Sequence, residues 1–445
     1  MIRLTDKTLT RRALLLGAAT SSALAAFSFP ARAIDSNKAT KVLDTWYKLL
    51  LELIRHTATY SPPVASRAFA YLGVTVFEAV ASGNPDFRSM AGQVNGLAPV
   101  PPRDNAPYDE ACILHGALVH SMNAHFGNTG PTGQRAMLAM TKKLDSLAAE
   151  GTAPEVVTRS MAYGLAVSEH ILAWSANDGG AVIENMGFPF DYALTEGPAH
   201  WVPTSTVAVQ QKPLLPNWGQ NRPFTLPQGD LCGLPTPIDY SEDPTSTFYA
   251  DAMDVYETSK SLTDDQKAIA RFWSDDPMLS PTPPGHWVSI AMQIFERDAT
   301  PLPLQVETLA LLGMAIADGF IACWRSKYEV DLLRPITYIR RVIDPKWEPL
   351  LNTPPFPEFP SGHSSQSGAA AGVLAALFGT NFAFTDATHA DDGLKPREFA
   401  SFQAAAEEAA ISRLYGGIHF RPAIDMGLKQ GSCVAGYVLK VNTRA

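Results

Sequence analysis

Apolar residues recur at three- and four-residue spacing along most of this chain, which is the period of an amphipathic helix. Residues 179–244 interrupt the pattern, because they are rich in proline and glycine and show no sustained period. They predict a long loop region with room for short strands or for part of a lid over a pocket. The periodic segments predict helices over residues 40–57, 65–81, 109–126, 132–149, 154–175, 246–259, 263–273, 286–297, 303–326, 329–342, 361–378, 396–414 and 422–443.

This pattern predicts an all-α fold in which two helical bundles pack together. The first half, residues 34–245, ends in the loop-rich segment 179–244, and the second half comprises residues 246–445. A chain of 445 residues is long enough for a large single domain or for two fused helical halves. We expect the second bundle to carry the functional site and the first to support it.

The N-terminus has the pattern of an export signal. Arg11 and Arg12 precede a short run of small and apolar residues, 17–27, and residues 31–33 read Ala-Arg-Ala, a typical cleavage site. The apolar run is too short for a membrane anchor. The sequence therefore predicts a cleaved twin-arginine signal over residues 1–33 and a periplasmic or secreted protein.

Composition narrows the function classes. Apolar residues make up 46% of the chain, the formal net charge is -9, and the isoelectric point is near 5.6. Beyond the N-terminus no stretch approaches the about 20 uninterrupted apolar residues of a transmembrane helix, so we expect no membrane insertion after signal cleavage. Since basic runs and basic–aromatic interleaving are both missing from the sequence, we expect no nucleic-acid partner.

The four cysteines give little indication of chemistry. No CxxC motif is present, which argues against a zinc site or a redox dithiol. Cys112, Cys323 and Cys433 lie in apolar helical surroundings and are most simply buried thiols. An oxidising compartment would allow one disulfide, but the sequence does not determine which cysteines pair.

Three short segments in the last third of the chain contain the candidate chemistry. They are residues 327–335 (KYEVDLLRP), 360–363 (PSGH) and 412–419 (SRLYGGIH). Together they supply a lysine, two arginines, a serine hydroxyl, a glycine amide and two histidines, a set suited to surrounding a tetrahedral oxyanion and to acid–base chemistry. Ordinary capping and salt-bridge roles explain any one segment. The three together predict a site for phosphate or for an anion of the same shape.

The spacing within each segment predicts local structure. Lys327 and Arg334 lie seven residues apart, so both cations are expected on one face of a helix that Pro335 then breaks or kinks. The segment that begins at Ser361 leads into a small-residue run, which predicts a buried helix whose N-terminus favours an anion. Two glycines before His419 predict that a helix ends there and returns the imidazole towards the arginine of that segment.

At these positions the chain resembles the superfamily of vanadium-dependent haloperoxidases and type 2 phosphatidic acid phosphatases. Both share a lysine, six residues, Arg-Pro, then PSGH, then Ser-Arg, five residues and a histidine, and every signature position is matched here. The resemblance implies that His419 binds vanadium, or attacks phosphorus in the phosphatase branch, and that His363 is the acid–base group at the apical oxygen. It implies five hydrogen-bond donors to the equatorial oxygens: Lys327, Arg334, Ser361, the Gly362 amide and Arg413.

Two aromatic residues favour the haloperoxidase branch. Trp324 stands three residues before the motif lysine, and Phe356 stands seven before the PSGH histidine. Both resemble the aromatic residues that line the halide side of the metal in haloperoxidases. Plain core packing also explains them.

An upstream block resembles the haloperoxidases less closely. Residues 273–276 (WSDD), followed by TPP, resemble a block whose aspartate holds the second arginine of the site. Asp276 is therefore expected to orient Arg413, with Asp275 as the competing assignment. His286 follows this block. The sequence does not decide whether this histidine faces the pocket or has a structural role.

The resemblance to bacterial periplasmic members implies an enzyme that oxidises a halide with hydrogen peroxide to hypohalous acid, with vanadate as cofactor. His363 is expected to take a proton from peroxide and Lys327 to polarise it. Iodide is favoured over bromide and chloride. The alternatives are a soluble periplasmic acid phosphatase with a phosphohistidine intermediate and an exported oxyanion-binding protein without turnover. The sequence does not determine the oligomeric state, and a homodimer is one of the alternatives.

Overall fold

The computed structural model describes residues 33–227 and 232–445. The predicted export signal lies outside these residues, apart from its last position. The regular secondary structure of these residues is helical apart from one small hairpin, which confirms the predicted all-α class. Its thirteen α-helices are α1 (Ala33–His56), α2 (Pro62–Ala81), α3 (Glu110–Phe126), α4 (Pro131–Ala149), α5 (Pro154–Ser175), α6 (Thr247–Lys260), α7 (Asp264–Phe272), α8 (Thr282–Asp298), α9 (Leu302–Val330), α10 (Pro335–Val342), α11 (Gly362–Phe378), α12 (Phe402–Tyr415) and α13 (Arg421–Val438).

The prediction that Lys327 and Arg334 share one helix face is wrong. α9 ends at Val330, and Asp331 follows in the left-handed conformation with φ of 52°. Arg334 is the N-cap of α10 and is extended, with φ of -83° and ψ of 155°, because a residue before proline avoids the helical region. Pro335 therefore starts a helix, a position that its missing N–H allows, and does not break one.

The helix predicted over residues 396–414 begins later than expected. Phe384–Asp386 (β1) pairs antiparallel with Arg397–Phe399 (β2), with Phe384 directly opposite Phe399. α12 begins only at Phe402, after the Ser401 side chain has accepted a hydrogen bond from the backbone N–H of Ala404. The hairpin was missed because two three-residue strands are too short to show a period of two.

The loop region predicted over residues 179–244 is confirmed for residues 179–227 and 232–244. Its described residues contain three 3-10 turns, Asn185–Gly187, Ala208–Gln211 and Trp218–Gln220, and no named strand. The loop packs against the motif segments, since the carbonyl of Leu214 accepts a hydrogen bond from the indole of Trp324 at 3.2 Å. The loop therefore contributes to the wall of the candidate site.

α2 and α9 form the centre of the core. Their backbones approach so closely that a Cβ at Gly73 would lie 2.4 Å from the carbonyl oxygen of Leu309, and one at Gly313 would lie 2.7 Å from that of Phe69. Both helices are long and apolar enough to cross a membrane, but the whole apolar window of each is buried inside the protein. They serve as core helices of a compact unit that extends over residues 35–445.

α11 and α13 pack in the same close manner in the second half. A Cβ at Gly431 would lie 2.2 Å from the carbonyl oxygen of Ser365, so only glycine fits there. A disulfide between Cys232 and Cys433 ties the loop region to α13, so the interpretation of Cys433 as a buried thiol is wrong. The other two cysteines are free and buried, as expected. Partners 201 residues apart leave no local signal of their pairing.

Candidate functional site

The three motif segments converge on one buried site. Lys327 lies in the last turn of α9, Arg334 at the N-cap of α10 and Ser361 at the N-cap of α11. Arg413 lies in the last turn of α12, and His419 lies in the connection to α13. None of these five residues is more than 4% exposed. Helix ends from four elements thus deliver their polar side chains to one place.

The connection between α12 and α13 forms as its glycines predict. α12 ends at Tyr415, and Gly417 adopts a φ of 76°, which a residue with a Cβ rarely adopts. The backbone N–H of Ile418 then bonds to the carbonyl of Arg413 at 3.2 Å. This turn brings His419 to the same buried site as the arginine.

His419 is held between a carboxylate and a guanidinium. Its Nδ1 lies 2.8 Å from Oε1 of Glu358, and its Nε2 lies 3.1 Å from Nη1 of Arg334. Because a guanidinium only donates, Nε2 must accept, which places the ring proton on Nδ1, where it is donated to Glu358. Burial, then the charges of Arg334 and Lys327, lower the pKa of His419 well below its usual value. Nε2 of the neutral ring therefore carries the lone pair, which accepts from Arg334 in this structure and is the one that a metal or phosphorus would bind.

Lys327 is buried and has no carboxylate partner among the residues that the structure describes. Its Nζ donates to the backbone carbonyls of Pro357 at 2.9 Å and Glu358 at 2.8 Å. An ammonium has three N–H groups, so one remains for a ligand. Burial lowers the pKa of Lys327 to about 7. A bound anion would oppose that effect and favour the charged form.

Arg413 is oriented by a backbone carbonyl. Its Nη1 donates to the oxygen of Trp273 at 3.0 Å, and its Nε has no hydrogen-bond partner among the described residues. Burial lowers the pKa of Arg413 to about 10. The free Nε is therefore a donor available to a ligand.

The aspartate expected to hold Arg413 acts only through its charge. Asp276 is exposed and makes no hydrogen bond or ion pair to Arg413 within the part of the chain that the structure describes, although its charge opposes the lowering of the arginine pKa. Asp275 is buried and bonds to His286, not to Arg413. The sequence interpretation is corrected here, because the direct partner of Arg413 is the carbonyl of Trp273.

The PSGH segment lies at the N-terminus of α11, as predicted. The Ser361 hydroxyl accepts from the backbone N–H of Ser364 at 3.3 Å, which leaves its own O–H free to donate. Gly362 is the first residue of α11, so its N–H has no partner within the helix. Burial, then Arg413, lowers the pKa of His363 well below its usual value. Nε2 of His363 finds no partner among the described residues.

Trp324 and Phe356 form an aromatic wall beside the cations. Their ring centroids are 4.8 Å apart. The Nζ of Lys327 lies 5.2 Å and the guanidinium carbon of Arg334 5.0 Å from the centroid of Phe356. A cation this close to an aromatic face is stabilised without a counterion. The wall also meets the PSGH helix, since a Cβ at Gly362 would lie 3.6 Å from the Trp324 ring.

The balance of charge indicates an anion. Within the described part of the chain, three buried cations, Lys327, Arg334 and Arg413, face a single buried carboxylate, that of Glu358. Burial lowers the pKa of Arg334, like that of Arg413, to about 10. Three side-chain nitrogens have no hydrogen-bond partner among the described residues: Nη2 of Arg334, Nε of Arg413 and Nε2 of His363. Buried unpaired charge costs several kcal/mol (roughly 3–5). Vanadate and phosphate fit this donor set.

Two residues that shape the site were not predicted from the sequence. Glu358 is fully buried and fixes the tautomer of His419, and its oxygen also accepts from the backbone N–H of Phe420 at 2.9 Å. A lone acid in an aromatic and proline-rich stretch beside PSGH was the available signal. Trp273 acts through its backbone carbonyl, for which the sequence carries no signal.

Comparisons with known proteins agree with this geometry. Residues 307–346 and 342–445 match the family described as the VCPO second helical-bundle domain. A crystal structure described as the first bacterial vanadium-dependent iodoperoxidase is 36% identical, with a TM-score of 0.81, and the match covers 91% of this chain and 96% of that one. No curated protein matches the sequence.

Two further structures share the fold. Holo and apo forms of a bacterial vanadium-dependent chloroperoxidase are each 15% identical, with TM-scores of 0.66 and 0.65. Each match covers 86% of this chain, and 93% and 95% of the two structures. The 36% identity to the iodoperoxidase over nearly the whole chain, together with the second-bundle match, shows that this protein belongs to the vanadium-dependent haloperoxidase family.

Proposed function

We propose that this protein catalyses the oxidation of a halide by hydrogen peroxide, with iodide preferred, and that vanadate is its resident oxyanion. The observation that supports the proposal most directly is the set of buried nitrogens of Arg334, Arg413 and His363 that have no partner among the described residues, in the same site as the Nε2 acceptor of His419. The relative at 36% identity is an iodoperoxidase, which favours iodide. The overall reaction is H₂O₂ + I⁻ + H⁺ → HOI + H₂O, so the site must take up and deliver protons.

Each residue has a role that follows from its contacts. His419 Nε2 would hold vanadium, and Lys327, Arg334, Arg413, Ser361 and the Gly362 amide would donate to the oxygens of the anion. Bound vanadate would act as a Lewis acid towards peroxide without changing its oxidation state. His363, neutral because its pKa is lowered, accepts a proton from peroxide at Nε2. The free N–H of Lys327 stabilises negative charge on the departing oxygen.

Vanadate and phosphate would compete for this site, which gives the test. Apo protein loaded with vanadate is expected to oxidise iodide in the presence of peroxide, and inorganic phosphate is expected to inhibit competitively with vanadate. The measurement is the rate of triiodide formation over a vanadate titration at several phosphate concentrations. The same vanadate-free preparation is assayed for phosphomonoester hydrolysis. Efficient hydrolysis without iodide oxidation on loading would contradict the proposal in favour of an acid phosphatase.

Glu358 should matter to oxyanion affinity because it fixes the proton of His419. In Glu358→Leu the Nδ1–H of His419 and the N–H of Phe420 lose their acceptor, and vanadate affinity is expected to fall by about 10- to 100-fold. Glu358→Gln keeps an acceptor oxygen at nearly the same position and is expected to retain most of the affinity. Equilibrium dialysis with vanadate measures both. Equal losses in the two variants would show that the carboxylate charge, and not the acceptor, is what counts.

We also propose that the protein is exported folded by the twin-arginine route. Arg11, Arg12 and the Ala-Arg-Ala of residues 31–33 support this, and a disulfide between Cys232 and Cys433 suits an oxidising compartment. Cell fractionation of the Arg11→Lys, Arg12→Lys double variant tests it. Export equal to that of the unsubstituted protein would contradict the assignment.

A further inference from the structure

A second group of charged side chains is buried behind Trp273. His286 of α8 lies between Asp275, which follows α7, and Asp386 of β1. His389, in the turn after β1, bonds to Asp275 and to Asp392. The first four of these residues are 5% exposed or less. No role in the proposed reaction accounts for so much buried charge.

The hydrogen bonds fix the protonation of both rings. His286 Nδ1 lies 2.9 Å from Asp275 and Nε2 lies 2.7 Å from Asp386. His389 Nε2 lies 3.0 Å from Asp275, and Nδ1 lies 3.2 Å from Asp392. A neutral imidazole donates at only one nitrogen, whereas ionised carboxylates only accept, so both rings must be imidazolium ions. Two cations therefore alternate with three carboxylates, and the network is bonded at every ring nitrogen.

The network contacts the candidate site through Trp273. The His286 ring is stacked on the Trp273 indole, with centroids 4.3 Å apart and planes 15° apart. The indole N–H donates to Glu408 at 3.0 Å, which fixes the other edge of the ring. The backbone carbonyl of the same tryptophan accepts a hydrogen bond from Nη1 of Arg413 at 3.0 Å. One residue thus joins the buried network to a side chain of the site.

We infer that His286 is a positioning residue for Arg413: the imidazolium, clamped by Asp275 and Asp386, holds Trp273 so that its carbonyl aims the guanidinium at the bound oxyanion. The inference rests on the proposed function. The position of the Arg413 guanidinium needs an explanation, because no carboxylate among the described residues contacts it directly. Its one hydrogen bond to these residues is to the carbonyl of Trp273. Productive sites require donors held to within about 0.5 Å, and a stacked, doubly bonded ring supplies that restraint.

The test compares two buried histidines that receive the same substitution. His286→Gln removes the stacked cation. His115→Gln is the matched control, since His115 is also fully buried, is stacked on a tryptophan (Trp46, centroids 5.9 Å apart) and bonds to an aspartate (Asp145, 2.9 Å). His286→Gln is expected to weaken the binding of inorganic vanadate, measured by calorimetry, about 10-fold, and His115→Gln to change it less than about twofold.

A double-mutant cycle separates positioning from general destabilisation. If His286 acts through Arg413, then adding His286→Gln to an Arg413→Gln protein should change vanadate affinity less than about twofold. Asp386→Asn keeps the histidine and its stacking but removes the charge of the carboxylate that holds Nε2 of His286. This variant is also expected to weaken vanadate binding. This milder variant decides the matter if His286→Gln does not fold, as judged by circular dichroism.

Four results would overturn the inference while leaving the proposed function in place. The first is an equal effect of His286→Gln and His115→Gln on vanadate affinity, and the second is full additivity with Arg413→Gln. The third is a stoichiometric divalent metal in the purified protein that His286→Gln removes, because the ligand atoms of Asp275, His286 and His389 lie within 4.8 Å of one another. If the unsubstituted protein binds neither vanadate nor phosphate, the proposed function fails and this inference with it. Vanadate binding that His286→Gln leaves unchanged overturns the inference alone.

Discussion

His419→Ala is expected to abolish peroxide-dependent iodide oxidation and to release vanadate from the protein. Two contacts place the lone pair of His419 on Nε2. Glu358 accepts a hydrogen bond from Nδ1, and Arg334 donates one to Nε2. Losing a residue that only orients a metal-binding histidine typically costs about 10- to 100-fold, so losing the histidine itself should cost more. Turnover is followed as triiodide formation, and vanadate retention by dialysis and metal analysis of the same sample.

The control for His419→Ala is a histidine far from the site. His170 of α5 bonds through Nε2 to the carbonyl of Ala98 at 3.0 Å, and His170→Ala is expected to leave both vanadate retention and turnover unchanged. Because His419 is buried, the thermal unfolding of both variants is measured first. A folded His419→Ala protein that keeps the vanadate affinity of the unsubstituted protein would contradict the assignment of this histidine.

The sequence predicts most of the helices and the motif residues because both signals are local. Helical periodicity is a property of neighbouring residues, and the three motifs are short enough to be read without the fold. The predicted and observed helices differ mainly in the residues at which they begin and end, because capping decides those positions. The PSGH segment, for example, is at a helix N-terminus as expected, because Ser361 is a good N-cap before a run of small residues.

What the sequence does not predict depends on contacts between distant segments. Lys327 and Arg334 have helical spacing, yet Asp331 in the left-handed conformation and the constraint before Pro335 separate them into two helices. Glu358 becomes a partner of His419 only because the fold brings together segments 61 residues apart. The position of Arg413 depends on a carbonyl 140 residues away. Every residue carries a backbone oxygen, so no motif could have indicated which of them binds Arg413.

His363→Ala is expected to slow halide oxidation by about 10²-fold or more, the usual contribution of a general base, while vanadate stays bound through His419 and the arginines. The structure supports the base role because burial and then Arg413 lower the pKa of His363, so the ring is neutral near pH 7 and can accept a proton. The sign also predicts the titration of the vanadate-free site, in which His363 becomes protonated only as the pH falls well below the usual histidine range, whereas a bound anion would oppose this shift.

Rates and vanadate content measured on one preparation of His363→Ala decide between a base and a ligand. Slow turnover with vanadate retained identifies the base, and parallel loss of both identifies a residue needed to hold the anion. Near-normal turnover would remove His363 from the mechanism. Added imidazole sharpens the result, because a small base that enters the vacated space should restore part of the rate of His363→Ala while its vanadate content stays the same.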